Sequence, residues 1–128
     1  MRGASSAFGR VTREDWSNAA PRADEIGISP SLSPKFPLLS VPYGCLVPRG
    51  IDGLLVAGRH ISCDATSHSF LREIPQCWLT GQAAGAAAAL AAAEKREPRA
   101  VATAALQALL LRQGVVLRQA SETAAAAN

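Results

Sequence analysis

The sequence is poor in aromatic residues, in charge and in closely spaced cysteines, and each shortage narrows what the chain can be. Aromatic side chains make up 5% of its 128 residues, and alanine supplies much of the 48% hydrophobic fraction. Alanine buries little area, so the usable apolar surface supports one smallish domain or a piece of a larger one. Charged residues reach 18%, below the globular average of roughly 25%, yet this is not the composition of a solvated disordered chain. The 13 Lys and Arg against 10 Asp and Glu leave a net charge of +3, too small and too scattered for a nucleic-acid footprint. Cys45, Cys63 and Cys77 stand far apart with no C-x-x-C pair. Zinc-ribbon and cluster-ligand spacing is therefore missing, no metal ligand set is expected, and the odd number argues against a closed disulfide framework. Reduced thiols and a cytoplasmic location are the expectation. Met1 to Arg10 lacks the apolar core of a signal peptide, and the longest low-charge run, Trp78 to Ala93, falls short of the ~20 residues of a membrane span. A soluble chain, with neither nucleic acid nor membrane as partner, is expected. No G-x-x-x-x-G-K-[ST] and no G-x-G-x-x-G occurs, which excludes a phosphate-cradling P-loop and a dinucleotide fingerprint within this chain.

What is present falls into three stretches. Residues 1–40 read as a loop-rich lead-in, with prolines at 21, 30, 34 and 37 that disfavour regular structure from Ser29 to Ser40. Thr12 three residues before Asp15 marks one helical turn carrying Trp16. Residues 41–117 hold the organised part. Short proline-interrupted pieces, Leu39 to Tyr43 and Cys45 to Pro48, suit edge strands or extended loops. After a turn at Arg49–Gly53, the run Leu54-Leu55-Val56-Ala57 reads as a strand buried on both faces and closed by Gly58. A loop of about a dozen residues leads to Pro75, which suits a first helical turn. One helix is predicted over about 72–95 and a second, with an apolar stripe, over 98–113. Residues 118–128 are expected to fray.

The chemistry is expected between Leu54 and Gly85. Gly81 and Gly85 are four apart, so they share one helical face with Cys77, Ala84 and Ala88 beside them. That face is nearly bare, and something flat can approach the helix axis closely. Gly58 at the strand exit likewise lets a ligand approach the backbone, and Arg59 and Arg72 bracket the loop as anion receivers. A plain strand–loop–helix packing unit fits the same spacing equally well.

The stretch VPYGCLVPRGIDGLLVAGRHIS, followed by SHSFLREIPQCWLTGQAAGAAAAL, closely resembles the C-terminal end of FAD-dependent oxidoreductases. The group is that of flavoproteins related to the heterodisulfide-reductase A subunit, within the wider glutathione-reductase-like FAD fold. The resemblance covers most of residues 11–117 and rests on several spaced motifs in order. It implies an α/β flavin fold when complete, and an α+β piece when this chain stands alone. It implies FAD as cofactor, with Gly58 and Arg59 at the strand exit near the pyrophosphate and ribityl chain. Arg72, Glu73 and Ile74 then fall at the helix start, against the pyrimidine edge of the flavin ring; Glu73 stands where an apolar residue is commoner. Unpaired N–H groups at that helix start favour negative charge on the ring. The unit holding the ADP half of FAD is missing, so the expected partner is an N-terminal FAD-binding portion or a subunit supplying it, together with a small-molecule redox substrate. His60 and His68 are the candidate proton donors over flavin N5, although a loop histidine bonded to backbone or water is the commoner role. A non-catalytic helical module that packs on a larger partner remains the alternative.

Overall fold

The computed structural model describes residues 9–18, 22–29 and 39–118. Helix α1 (Arg13–Asn18) begins at a side-chain cap: the Asp15 carboxylate accepts from the Thr12 backbone N–H at 2.7 Å and from its hydroxyl at 3.1 Å. The side chain of Trp16, expected on this turn, lies outside the described residues, as do 30–38 of the proline-rich stretch and the tail from 119 on.

Strands β1 (Glu25–Ser29) and β2 (Leu39–Pro42) pair antiparallel, with Ser29 opposite Leu39 and Glu25 opposite Pro42, and a bulge between Glu25 and Gly27. β1 lies within the stretch that reads in sequence as loop-rich and extended. Its EIGIS pattern is too short and too glycine-interrupted to stand out, but Gly27 lets β1 meet the helix that follows later, because a Cβ there would strike the Leu79 side chain. Glu25 is fully buried and accepts from the Ser40 hydroxyl and the Arg118 backbone N–H. The Gln107 amide donates to the Ala23 and Glu25 carbonyls at 3.0 and 3.1 Å. These bonds fasten β1 to its neighbour strand and to the C-terminal helix.

Helix α2 (Ala65–Leu71) occupies much of what reads in sequence as a loop, and Asp64 is its N-cap. Helix α3 (Ile74–Glu94) carries Pro75 in its first turn and ends at Lys95, whose φ of 53° lies in the left-handed region. Its buried side is small: Ala83, Ala86, Ala87 and Ala91 let helix α4 (Thr103–Arg112) bring Leu106 and Leu110 into full burial. α4 starts five residues later than predicted. Pro98–Ala100 forms a separate 3₁₀ turn, and Val101 and Ala102 are extended. Tyr43, in a 3₁₀ turn after β2, donates its hydroxyl to the Pro98 carbonyl at 2.7 Å and holds that turn in place.

The largest departure is the run Leu54–Ala57. It belongs to no strand; Ala57 at its end is extended, and Leu54 is 43% exposed. Among the described residues its backbone bond is Val56 N–H to the Leu46 carbonyl at 2.9 Å. An apolar run becomes a buried strand only where neighbours cover both edges and faces, and the described residues supply too few. The described chain is accordingly α+β: helices around a two-stranded antiparallel ribbon, plus an isolated parallel bridge between Val11 and Cys63.

Two outcomes follow from this packing. A Cβ at Gly44 would overlap the backbone nitrogen of Gly9. Gly44→Ala should therefore lower stability by about 1–3 kcal/mol through overpacking, read as a fall in the urea midpoint. Burial, with Asp24 and Cys63 adding to it, pushes the Cys45 thiol up to about 12 from its ordinary 9.0. The unfolded chain releases this proton first, so stability is fully present below about pH 9 and declines as pH rises toward about 12. Unfolding midpoints across that range should show the decline, and Cys45→Ala should make it shallower; Tyr43, pushed by burial up to about 12, and Cys63, also raised by burial, contribute as well.

Candidate functional site

The site grows from one left-handed residue. Ala57 is extended and Gly58 takes φ +67°, turning the chain into the 3₁₀ turn Gly58–His60. The Gly58 N–H then points at α3 and donates to the Thr80 hydroxyl at 2.9 Å. Thr80 is buried, and its own hydroxyl is shared between the Gln76 and Cys77 carbonyls at 3.0 and 3.1 Å. A Cβ on Gly58 would meet Cys77 Sγ at 3.7 Å, while the Cys77 thiol lies 3.4 Å from the Arg72 carbonyl. The exit of the 54–57 run is thus seated against the first two turns of α3.

A second strap comes from α2. The Asp64 carboxylate accepts the Ser67 N–H at 2.7 Å and the Arg13 N–H at 2.9 Å. Bonds from the Ser67 backbone and hydroxyl, and then from Arg13, hold this carboxyl below the usual carboxylate range. The helix so capped brings His68 Nε2 to 3.3 Å from the Arg59 carbonyl, which gives His68 a backbone partner and anchors the Gly58–His60 turn from its other side. His60 is exposed. At the far end of α2 the chain turns through Arg72 and Glu73 into α3, with Arg72 N–H bonded to the His68 carbonyl and Glu73 N–H to that of Phe70.

Of the sequence-predicted residues, Gly58 and Arg59 therefore sit in one turn, and Arg72, Glu73 and Ile74 at the start of the helix that this turn rests on. Arg59, Arg72, Glu73 and Ile74 are all exposed. The N-cap of α3, Glu73, makes no side-chain cap bond, and the first turn holds no acidic residue. Ile74 and Pro75 at this start are exposed, and the positive end of a 21-residue helix lies there. Further along, a Cβ at Gly81 or Gly85 would meet nothing within 4 Å, so the bare helical face is open. Thr80 is the residue that sequence reasoning missed. Its only sequence signal is a hydroxyl one residue before Gly81 inside an otherwise apolar helix.

Thr80→Val keeps the shape but strands the Gly58 N–H, so it should cost about 1–3 kcal/mol in urea unfolding. It should also speed amide exchange at Gly58 relative to the rest of the chain, and Thr80→Ser should restore both.

A family model described as FAD dependent oxidoreductase matches residues 10–110. No curated protein and no solved structure matches the chain. The matched stretch runs from before α1 into the last turns of α4, and it contains the whole Gly58 turn and all of α3. With FAD as the cofactor that this membership brings, the chain belongs to the family of FAD dependent oxidoreductases.

Proposed function

We propose that this chain forms the flavin-side portion of an FAD site in a cytoplasmic oxidoreductase with a glutathione-reductase-like fold, of the group related to the heterodisulfide-reductase A subunit. In this reading an N-terminal dinucleotide-binding portion or a partner subunit completes the site. One observation carries it: the left-handed Gly58 turn is bonded onto the first turns of an uncapped α3 through Thr80. The residues present fit half of the cofactor. Gly58 brings backbone where a Cβ-bearing residue would be strained, and the Gly81 and Gly85 face is open. No G-x-G-x-x-G is present for the ADP half.

FAD, when bound, supplies the ring that takes up and passes on electrons. The chain's own residues orient and stabilise it. Gly58 and Arg59 receive the pyrophosphate and ribityl side, Arg59 by charge and Gly58 by close approach. Arg72, Glu73 and Ile74 receive the pyrimidine edge, where the α3 N–H groups offer a fixed positive field that needs no reorganisation. His60 is the exposed candidate for moving a proton.

Two further features support completion by another portion. The Leu54–Ala57 run belongs to no strand, and its Val56 N–H bonds the Leu46 carbonyl. The solvent-facing side of α3 carries Ile74 and Trp78, 62% and 71% exposed, then Gly81, Gly85 and alanines, with no charged residue from 74 to 93. A surface helix normally turns a polar face outward. No helix among the described residues is long and apolar enough to cross a membrane.

Flavin fluorescence of the purified chain titrated with FMN and with FAD tests the reading. Weak saturable binding of both is expected, with affinities within about threefold because the ADP half finds no dedicated contacts, and loss of binding in Gly58→Val. Binding of neither, or a preference for FAD beyond about tenfold, overturns it; the first outcome leaves the helical module as the reading.

A further inference from the structure

The open side of α3 carries one aromatic side chain to which the flavin reading gives no contact. Trp78 is 71% exposed, and Ile74, one turn before it, is 62% exposed. We propose that Trp78 is a ring-binding residue of the flavin site, its indole offering the face on which the isoalloxazine stacks. This rests on the flavin reading and adds to it the side chain that holds the ring.

Helical spacing places the residue. At about 100° per residue, Ile74, Trp78, Gly81 and Gly85 form one stripe along α3, and Cys77 borders that stripe. Cys77 is also the side chain beside which the Gly58 turn is seated, its Sγ 3.7 Å from where a Cβ on Gly58 would lie. The Gly58 turn therefore stands at one margin of the stripe and Trp78 at the other. Between them, a Cβ at Gly81 would meet nothing within 4 Å, so the ground separating the margins is bare backbone that a flat ring can approach.

A helical side chain leans toward the helix N-terminus and covers the turn before its own Cα. The indole thus reaches back over the turn of Ile74 and Pro75, the helix start that receives the pyrimidine edge in the flavin reading. Trp78 and Pro75 line one hollow of about 340 Å³, within the roughly 300–1,000 Å³ of small-molecule sites. Leu79, Val115 and Val116 give it an apolar wall, and among the described residues no charged side chain lines it. Gln82 and Gln113, also in the lining, are tied to each other by a hydrogen bond of 3.1 Å. In an uncharged surround of this kind an indole recognises a planar ring by stacking, a gain of roughly two- to tenfold in affinity. A protein portion lying over α3 would also bury Trp78, but packing asks for a large apolar residue, whereas stacking asks for an aromatic one.

The test uses the full chain with FMN, reading the brightness of the bound flavin and the affinity separately. Indole is electron-rich and quenches a flavin stacked on it, so bound FMN should be much dimmer than free FMN. Trp78→Leu should restore the brightness of the bound flavin and weaken binding roughly two- to tenfold. Trp78→Phe should restore the brightness too, yet bind more tightly than Trp78→Leu, because it still stacks. Leu111→Ala, which removes a 42% exposed side chain of α4 outside the hollow, should change neither quantity. Urea midpoints of the Trp78 variants should match the wild type, since little of the indole is buried. Bound FMN equally bright in the wild type and Trp78→Leu, or bound with equal affinity by both, overturns the proposal and leaves the flavin reading standing. Failure of FMN to bind the wild-type chain overturns both.

Discussion

The bond from the Gly58 amide to the Thr80 hydroxyl is the contact on which the arrangement of the site depends. A positive φ directs that N–H away from the chain's own turn and into the side of α3. A buried amide left without a partner is costly, so the turn has one favourable seat. Thr80 can accept it because its proton is already given to the carbonyls one turn back, at Gln76 and Cys77. A helix hydroxyl bonded in this way costs the helix little and leaves its oxygen lone pairs available to a neighbour. Once the turn is seated, the other members of the site fall into order. His68 reaches the Arg59 carbonyl, Cys77 fills the space beside Gly58, and the exit of the 54–57 run comes to the start of α3.

Helix α3 serves two surfaces at once. Its alanine side is thin enough for α4 and β1 to close on it, and Gly27 removes the side chain that would otherwise hold β1 away. Its opposite side is equally apolar yet open, from Ile74 and Trp78 through Gly81 and Gly85. A helix apolar all round is an interior helix. That open face and the Leu54–Ala57 run, whose backbone bond among the described residues is Val56 N–H to the Leu46 carbonyl, are the surfaces that the proposed completing portion would cover. Basic groups are set apart from that face: Arg59 lies within the Gly58 turn and Arg72 at the end of α2, while Arg10, Arg49 and His60 line a hollow beside that turn.

Legibility differed by element for physical reasons. Pro75 in a first turn, the capping pair Thr12 and Asp15, and the glycine at the end of LLVA were readable because each acts through its own backbone and near neighbours. The start of α4 was misplaced because Pro98 can open a 3₁₀ turn as readily as an α-helix, and the Tyr43 hydroxyl on its carbonyl helps hold that turn. Helix α2 was hidden because seven residues of Ala, Thr, Ser, His, Phe and Leu have little intrinsic preference; Asp64 and the contact of His68 with Arg59 hold them. β1 was hidden because its five residues gain stability from Glu25, buried between Ser40, Gln107 and Arg118, far apart in sequence.

By itself the sequence determined the local geometry: where glycine permits a left-handed turn, where proline starts a helix, and which face of α3 is bare. Only the tertiary structure decided that Thr80 receives the turn and that Gly27 is a packing residue. Backbone preference and side-chain size act over a few residues and are written in the chain, whereas a buried hydrogen bond or a close packing contact requires segments tens of residues apart to meet, and only the packed fold specifies that meeting.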